Sequence, residues 1–327
     1  MQRFSLLRAA VAATIGLSAS FAAATAHAAD YPDRPIRLIL GYTPGGAADA
    51  VARSLTPRMS ELLGQSVVIE YKSGAGGAIA VESLMRSPPD GYTLHLIDSG
   101  TMVVLPNVRK VPFDPLTSFT PVSMAASGGL VLAVHPSLPV KTLPELVSLL
   151  KKKPESESYA TSGVGGGGHV AAELLRMESG MSMQHISYRG GGPAMADLMG
   201  GQINIGMSTL APAIPQIRGD RIRALAVTSL KRAAALPDVP TIAEQGYPGF
   251  EALNWYALVG PKGMPPEITA KLTDVLNQAL ASDQVLKALR EQGLDPSETG
   301  VAPLLKQTQS DLDKWKKVVE AANIKAE

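Results

Sequence analysis

The chain has 327 residues, 45% of them hydrophobic and 18% charged, with 30 basic residues against 29 acidic ones. It contains no cysteine, which excludes disulfides, thiolate zinc sites, a cysteine nucleophile and a lipid anchor on cysteine. The near-neutral balance leaves no electrostatic footprint for nucleic acid, and 31 glycines and 25 prolines without a period fit many strand-to-helix turns better than a low-complexity chain.

Arg3 and Arg8 precede a small, apolar run over 9–24, and Ala26-His27-Ala28 follows as an A-x-A cleavage site, so residues 1–28 read as a secretory signal peptide. Without those two arginines the chain carries 28 basic residues against 29 acidic. No later stretch approaches the ~20 consecutive apolar residues of a membrane span. The expectation is a soluble, exported, periplasmic protein, long enough for two domains.

The mature chain opens with an apolar run from Ile36 to Leu40, the turn Gly-Tyr-Thr-Pro-Gly-Gly, and "AADAVARSLTPRMSELLG", whose apolar residues recur at helical spacing before Gly64. Val67 to Tyr71 predicts a second strand, Ala78 to Arg86 a helix, and "PPDGYTLHLID" a turn and a third strand. A long strand-like passage, "TPVSMAASGGLVLAVHPS", is followed by a second alternation. It runs helix 143–152, strand 158–161, helix 169–179, strand 185–188, helix 193–199 and strand 203–207. "RIRALAVTS" and "NWYALVGP" predict two more strands, and amphipathic patterns predict helices near 266–291 and 301–322. The expected fold is α/β with two lobes, each a mostly parallel sheet flanked by helices, joined by two crossing hinge strands. Lobe 1 takes 29–130 and 251–327, and lobe 2 takes 131–250. Such lobes hold a ligand in the cleft between them.

Within "TSGVGGGGHVAAE", Gly163, Gly165 and Gly168 satisfy the G-x-G-x-x-G spacing of dinucleotide sites. The next strand, "MQHISYRG", carries no acid for ribose hydroxyls, and no Gly-Lys-Ser/Thr follows for a P-loop. What remains is a glycine-rich turn at a helix N-terminus, equally suited to a carboxylate, with Ser162 as a hydroxyl donor. "YTPGGAAD", Tyr42 to Asp49, repeats the device at the end of the first strand. Either turn alone is as well explained by tight geometry. Two of them at strand ends in an exported two-lobe chain predict a grip on a small anion.

Other residues weigh less. His169 and Glu173 share a helix face but lack a third ligand of metal spacing, and Ser162 near His169 lacks a nucleophile elbow and an orienting acid. Asp49 sits where a carboxylate favours the helix dipole and orders the loop or meets a ligand amine. Tyr42 walls the pocket or packs between lobes. His95 and Asp98 point to opposite faces of their strand, while Ser99 and Thr101 are polar donors on its end loop. Trp255 and Tyr256 are expected in the returning strand's core.

In order along the chain, "GYTPGGAADAVAR", "YKSGAGGAIAVESLMRSPPDGYTL", "LAVHPSLPVKTLPEL", "GGGGHVAAELL", "ISYRGGGPAMADLMGGQINIGMS", "IRALAVTSLKRAAALPDVPTIAEQGYPGFE" and "KWKKVVEAANIKAE" resemble the Bug (Bordetella uptake gene) family. These are the TctC-like receptors of tripartite tricarboxylate transporters. The resemblance implies a type II-like periplasmic-binding-protein fold, no catalysis, no cofactor and no metal. It also implies a small mono-, di- or tricarboxylate ligand, membrane permease subunits as partners, and a monomer. Carried onto this chain, the family's contacts fall on Tyr42, Thr43, Gly45, Gly46 and Asp49, with Ser99 and Thr101 nearby. Opposite stand Thr161, Ser162, Gly163, Gly168 and His169, with Ser208 after the strand 203–207. The chain departs from the family at Thr43, often a proline, and at Tyr71-Lys72-Ser73, where Asn-Arg/Lys-Pro is common. A serine-type hydrolase and a sensor or scavenger without its own transporter are the rival readings.

Overall fold

The computed structural model describes residues 31–325, and the expected signal peptide, 1–28, lies outside them. Strand β1 (Ile36–Leu40) exposes only Arg37, and its apolar side chains meet helix α1 (Ala47–Leu63) through Val51, Ala52, Leu55 and Met59. Val51, Leu55 and Met59 recur every four positions with Ala52 beside them, which puts all four on one face. Gly64 ends α1 in the left-handed region at φ 66°, the conformation glycine adopts without a Cβ penalty. Strand β2 (Val67–Tyr71), helix α2 (Ala78–Met85) and strand β3 (Thr93–Asp98) complete the first alternation. A π-helical turn, Gly100–Val104, runs into the short helix α3 (Leu105–Val108).

Strand β4 (Phe119–Val134) leads to α4 (Leu143–Lys152), β5 (Ser158–Thr161), α5 (Gly167–Ser179), β6 (Gln184–Ser187) and α6 (Gly191–Met199). Then come β7 (Ile205–Thr209), α7 (Leu210–Arg218), β8 (Arg223–Val227), β9 (Leu253–Pro261), α8 (Pro266–Leu280), α9 (Asp283–Glu291), the two-residue β10 (Asp295–Pro296) and α10 (Val301–Ala321).

The strands follow the order β2-β1-β3-β9-β4-β7-β5-β6, with β8 and β10 also paired to β4. Strands linked by helices run parallel, as the alternation predicts: β1 with β2 and β3, and β5 with β6 and β7. Long β4 and β9 run antiparallel to their neighbours, so the whole is mixed. Strand β4 changes partners part-way. Phe119 to Gly129 pair with β9, while Leu130 to Val134 pair with β7. At that change the Thr228 hydroxyl accepts the Leu130 N–H at 2.7 Å and donates to the Ala252 carbonyl at 2.5 Å, tying both crossing segments to one side chain. Gly129 is there for space: a Cβ would stand 2.8 Å from Ser229 Oγ.

One apolar cluster covers β1 and α1, another packs α6 and α7 on β4, and the largest includes both Val81 and Ile97 from the first alternation and Leu146, Tyr159 and Val170 from the second. Trp255 joins it and donates Nε1–H to Asp311 on α10 at 2.6 Å. Among the described residues no helix is long and apolar enough to cross a membrane.

Several boundaries differ from the sequence pattern. The helix expected over 266–291 is two helices, because Ser282 is extended at φ −73°, ψ 129° and Asp283 opens a new first turn. α5 and α6 each begin two residues earlier, at Gly167 and Gly191, taking in glycines that read as loop. β7 begins at Ile205 because the Ile203 N–H turns back to the Asp197 carbonyl, so Ser208 lies inside the strand.

Candidate functional site

Helices α1, α5, α6 and α7 have Gly46, Gly166, Gly190 and Thr209 as their N-cap residues, and none of the four is capped by a side-chain hydrogen bond. Among the described helices only α4 has a side-chain cap, Thr142, which accepts the Glu145 N–H at 3.3 Å, so what distinguishes these four is where they point. The four uncapped ends open onto one cavity of about 780 Å³ free of protein atoms, counting its mouth, lined by Gly46, Ala47, Gly167, Gly168, Gly191 and Thr209 among others. First-turn N–H groups have no acceptor within the helix, and each helix start carries roughly half a positive charge. Among the described residues the lining holds no Lys, Arg or His. The partial positive charge it does receive comes from peptide dipoles at the helix starts.

Each glycine turn is closed from behind by the side chain four residues on. Gly45 donates its N–H to Asp49 Oδ2 at 2.9 Å, and Gly165 donates to His169 Nδ1 at 3.2 Å. Burial opposes ionisation of Asp49, but bonds from Tyr71, Gly45 and Arg53 outweigh it and hold the carboxyl below its usual range. Burial pushes His169 down to about 4, so the ring is neutral and free to accept.

The cavity floor comes from β3 and β9. Asp98, the one charged residue of the lining, lies opposite Tyr256 in the antiparallel pair. Burial raises its pKa, against the bonds it accepts from the Thr101 N–H at 3.0 Å and hydroxyl at 2.8 Å. Asn254 and Tyr256 share one face of β9 and line the cavity, whereas Trp255 between them faces α10, as period-two alternation requires. Ser99 donates to Asn254 Oδ1 at 2.9 Å, fixing that amide from below. Ala160, Ala194, Met195, Leu198 and Met207 make an apolar wall.

The two sides approach closely. A Cβ at Gly190 would stand 2.9 Å from Thr43 Oγ1, and one at Gly100 would stand 3.1 Å from the Gly167 nitrogen. Gly168 is pressed against β7, where a Cβ would lie 2.6 Å from the Met207 carbonyl.

Residues 51–324 match the family described as "Tripartite tricarboxylate transporter family receptor". The chain belongs to this receptor family. Among curated relatives, Protein BugT of Bordetella pertussis (strain Tohama I / ATCC BAA-589 / NCTC 13251) is 37% identical over 286 residues, 87% of this chain and 86% of BugT. Three solved structures are also similar. Rpa4515 of R. palustris with adipate has a TM-score of 0.86 at 34% identity, covering 90% of this chain and 99% of that one. The periplasmic binding protein BugD has a TM-score of 0.85 at 32% identity, covering 91% and 100%. MatC (Rpa3494) from Rhodopseudomonas palustris with bound malate has a TM-score of 0.83 at 29% identity, covering 88% and 100%. The family is one of periplasmic solute-binding receptors, so this TctC-type chain is a receptor and not an enzyme.

Of the residues that the sequence singled out, this receptor places Tyr42, Thr43, Gly46, Thr161, Ser162, Gly168 and Ser208 on the cavity wall. Gly45, Asp49, Gly163 and His169 sit behind the wall as parts of the two turns. Ser99 and Thr101 support Asn254 and Asp98 from beneath. His169 Nδ1 is occupied by the Gly165 N–H, so that nitrogen is not available as a base toward Ser162. Glu173 accepts from Tyr159 at 2.6 Å and pairs with Arg176, and no metal-holding cluster occurs among the described residues. Sequence reasoning missed Asp98, Met195, Asn254 and Tyr256. Tyr256 was read as core, and the usable signal was Asn254: a polar residue two positions from a tyrosine within an apolar strand.

Proposed function

We propose that the chain is an extracytoplasmic receptor that captures a small organic carboxylate in this cavity and delivers it to the membrane permease of a tripartite tricarboxylate-type transporter. The observation that carries this reading is the convergence of four uncapped helix N-termini on a cavity without a cationic side chain. A carboxylate supplies the acceptors those N–H groups lack. Adipate in Rpa4515 and malate in MatC support the same ligand class. Contacts are assigned to Tyr42, Thr43, Gly46, Thr161, Ser162, Gly168 and Ser208 on the wall, backed by Gly45, Asp49, Ser99, Thr101, Gly163 and His169.

In this reading residues 1–28 direct export to the periplasm, and the monomeric mature protein has lobes 29–130 with 251–327, and 131–250. They close by flexing where β4 changes partners at Gly129 and where β9 begins at Leu253. The test is a thermal-shift screen of ligand-stripped protein against mono-, di- and tricarboxylates, acidic amino acids and aromatic acids, with NAD as control. An acid at about 100 times its Kd adds about 2.7 kcal/mol, a rise of several degrees in Tm. A flat response to every acid refutes the ligand class. Co-purification with permease subunits from the same genomic neighbourhood tests the delivery step.

A further inference from the structure

Behind the second glycine turn lies a pair of histidines that the proposed ligand contacts leave unexplained. His169 on α5 and His185 on β6 are stacked, with ring centroids 3.8 Å apart and planes 15° from parallel. β5 and β6 run parallel in a register that sets His185 beside Tyr159, whose ring lies 5.0 Å away. His185 Nε2 is 2.6 Å from the Thr161 hydroxyl, and that hydroxyl is 3.2 Å from the Gly163 carbonyl. His169 Nδ1 takes the Gly165 N–H. The two rings therefore hold the start and the middle of the turn.

We propose that the stacked pair His169 and His185 is the positioning element of the carboxylate-holding turn 161–168, fixing Thr161 and Gly165 from behind while both rings are neutral. This rests on the receptor reading above. Two proton assignments follow. His169 accepts at Nδ1, so its proton is on Nε2. Thr161 has one hydroxyl proton; once that proton points to Gly163 or to a ligand oxygen, His185 must donate from Nε2 into the hydroxyl's lone pair. His185 thus leaves Thr161 a donor toward an anion.

The charged groups around the rings agree. Tyr159 on β5 gives its hydroxyl proton to Glu173, and Arg176 on α5 pairs with the same carboxylate, so Glu173 is satisfied without either imidazole. A proton on His169 would remove the acceptor for Gly165 and place a cation against the other ring.

The test compares His169→Leu, which removes the acceptor, with His169→Asn, which keeps a neutral one. Asp49 shows that a side chain of asparagine's length reaches a turn N–H at this spacing. The first readout needs no ligand: amide hydrogen exchange of peptides covering 161–168. The second is the Kd for adipate or malate, whichever binds the wild-type protein, by calorimetry. Expected are faster exchange and about tenfold weaker binding in His169→Leu, the scale of one lost hydrogen bond, with exchange and affinity within about threefold of wild type in His169→Asn. The third readout is pH: as it falls toward 4, wild type loses affinity relative to His169→Asn, a ratio in which the acid's own titration cancels. Unchanged exchange in His169→Leu, or faster exchange with unchanged Kd, overturns the proposal. A wild-type protein that binds no acid overturns the receptor reading instead, and leaves the exchange result to judge the histidines alone.

Discussion

Asp49 closes the first glycine turn onto its own helix by accepting the Gly45 N–H at 2.9 Å, and Tyr71 and Arg53 hold the same carboxylate at 2.6 and 2.8 Å. Tyr71, the last residue of β2, supplies a hydroxyl to the turn's anchor. Asp49→Ala is expected to weaken carboxylate binding about tenfold and to lower Tm by a few degrees, since three donors lose their acceptor. Asp49→Asn retains an acceptor for Gly45 and loses less. Because the carboxyl titrates below its usual range, its contribution is complete above that range and disappears as pH falls through the lowered value. Calorimetric binding and thermal unfolding of both variants check this.

Gly46→Asp separates folding from binding. A Cβ there meets nothing nearer than the Thr43 carbonyl at 3.9 Å, and aspartate is a favoured N-cap. Tm is expected to stay level or rise, while carboxylate affinity falls by at least ~100-fold because a like charge occupies the N-terminus of α1. Retained affinity would remove this helix end from the site.

Gly190 faces Thr43 across the cavity at φ 138°. Gly190→Ala adds backbone strain of about 1–3 kcal/mol and a clash with the Thr43 hydroxyl. The expected result is a lower Tm and weaker ligand binding. Adding Thr43→Ala relieves the clash but not the strain, so it recovers part of the loss. Full recovery in the double variant would show that the backbone term is negligible.

The buried histidines make stability depend on pH. Burial lowers His169 to about 4 and His185 to about 3 from an ordinary 6.5. Both are neutral in folded and unfolded chains above 6.5. Below it the unfolded chain takes up protons first, and stability falls until the folded rings also titrate near 4 and 3. Chemical unfolding from pH 7 to 4 is expected to show a shallower slope in His169→Asn/His185→Gln than in wild type.

Much of the fold was legible because each strand-turn-helix unit carries its own local signals. Ile36–Leu40, Val67–Tyr71, Leu143–Lys152 and Ser158–Thr161 fall where apolar period and turn residues place them. The helix starts at Gly167 and Gly191 were less legible, since glycine has poor helix propensity and these first turns have no capping side chain to announce them. The two glycine turns were legible as strand-end turns, and both border the same cavity. Asn254 and Tyr256 were not legible as its lining, because which face of β9 meets the cavity is set by pairing with β3 and β4. Asp49 and His169 were found, and for Asp49 the loop-ordering role was one of the two expected; an acceptor four residues after a glycine is as well placed to close the turn as to meet a ligand.

In the proposed reading the acid group is met by backbone amides at four helix starts, and every residue type except proline carries that group. Substitutions on the apolar wall at Ala194, Met195 or Leu198 therefore leave the anchoring groups in place while changing the room beside them. Affinity for the acid group and choice among acids are written in different parts of the chain. The scaffold is thus free to diverge in what it accepts without first losing its ability to hold on.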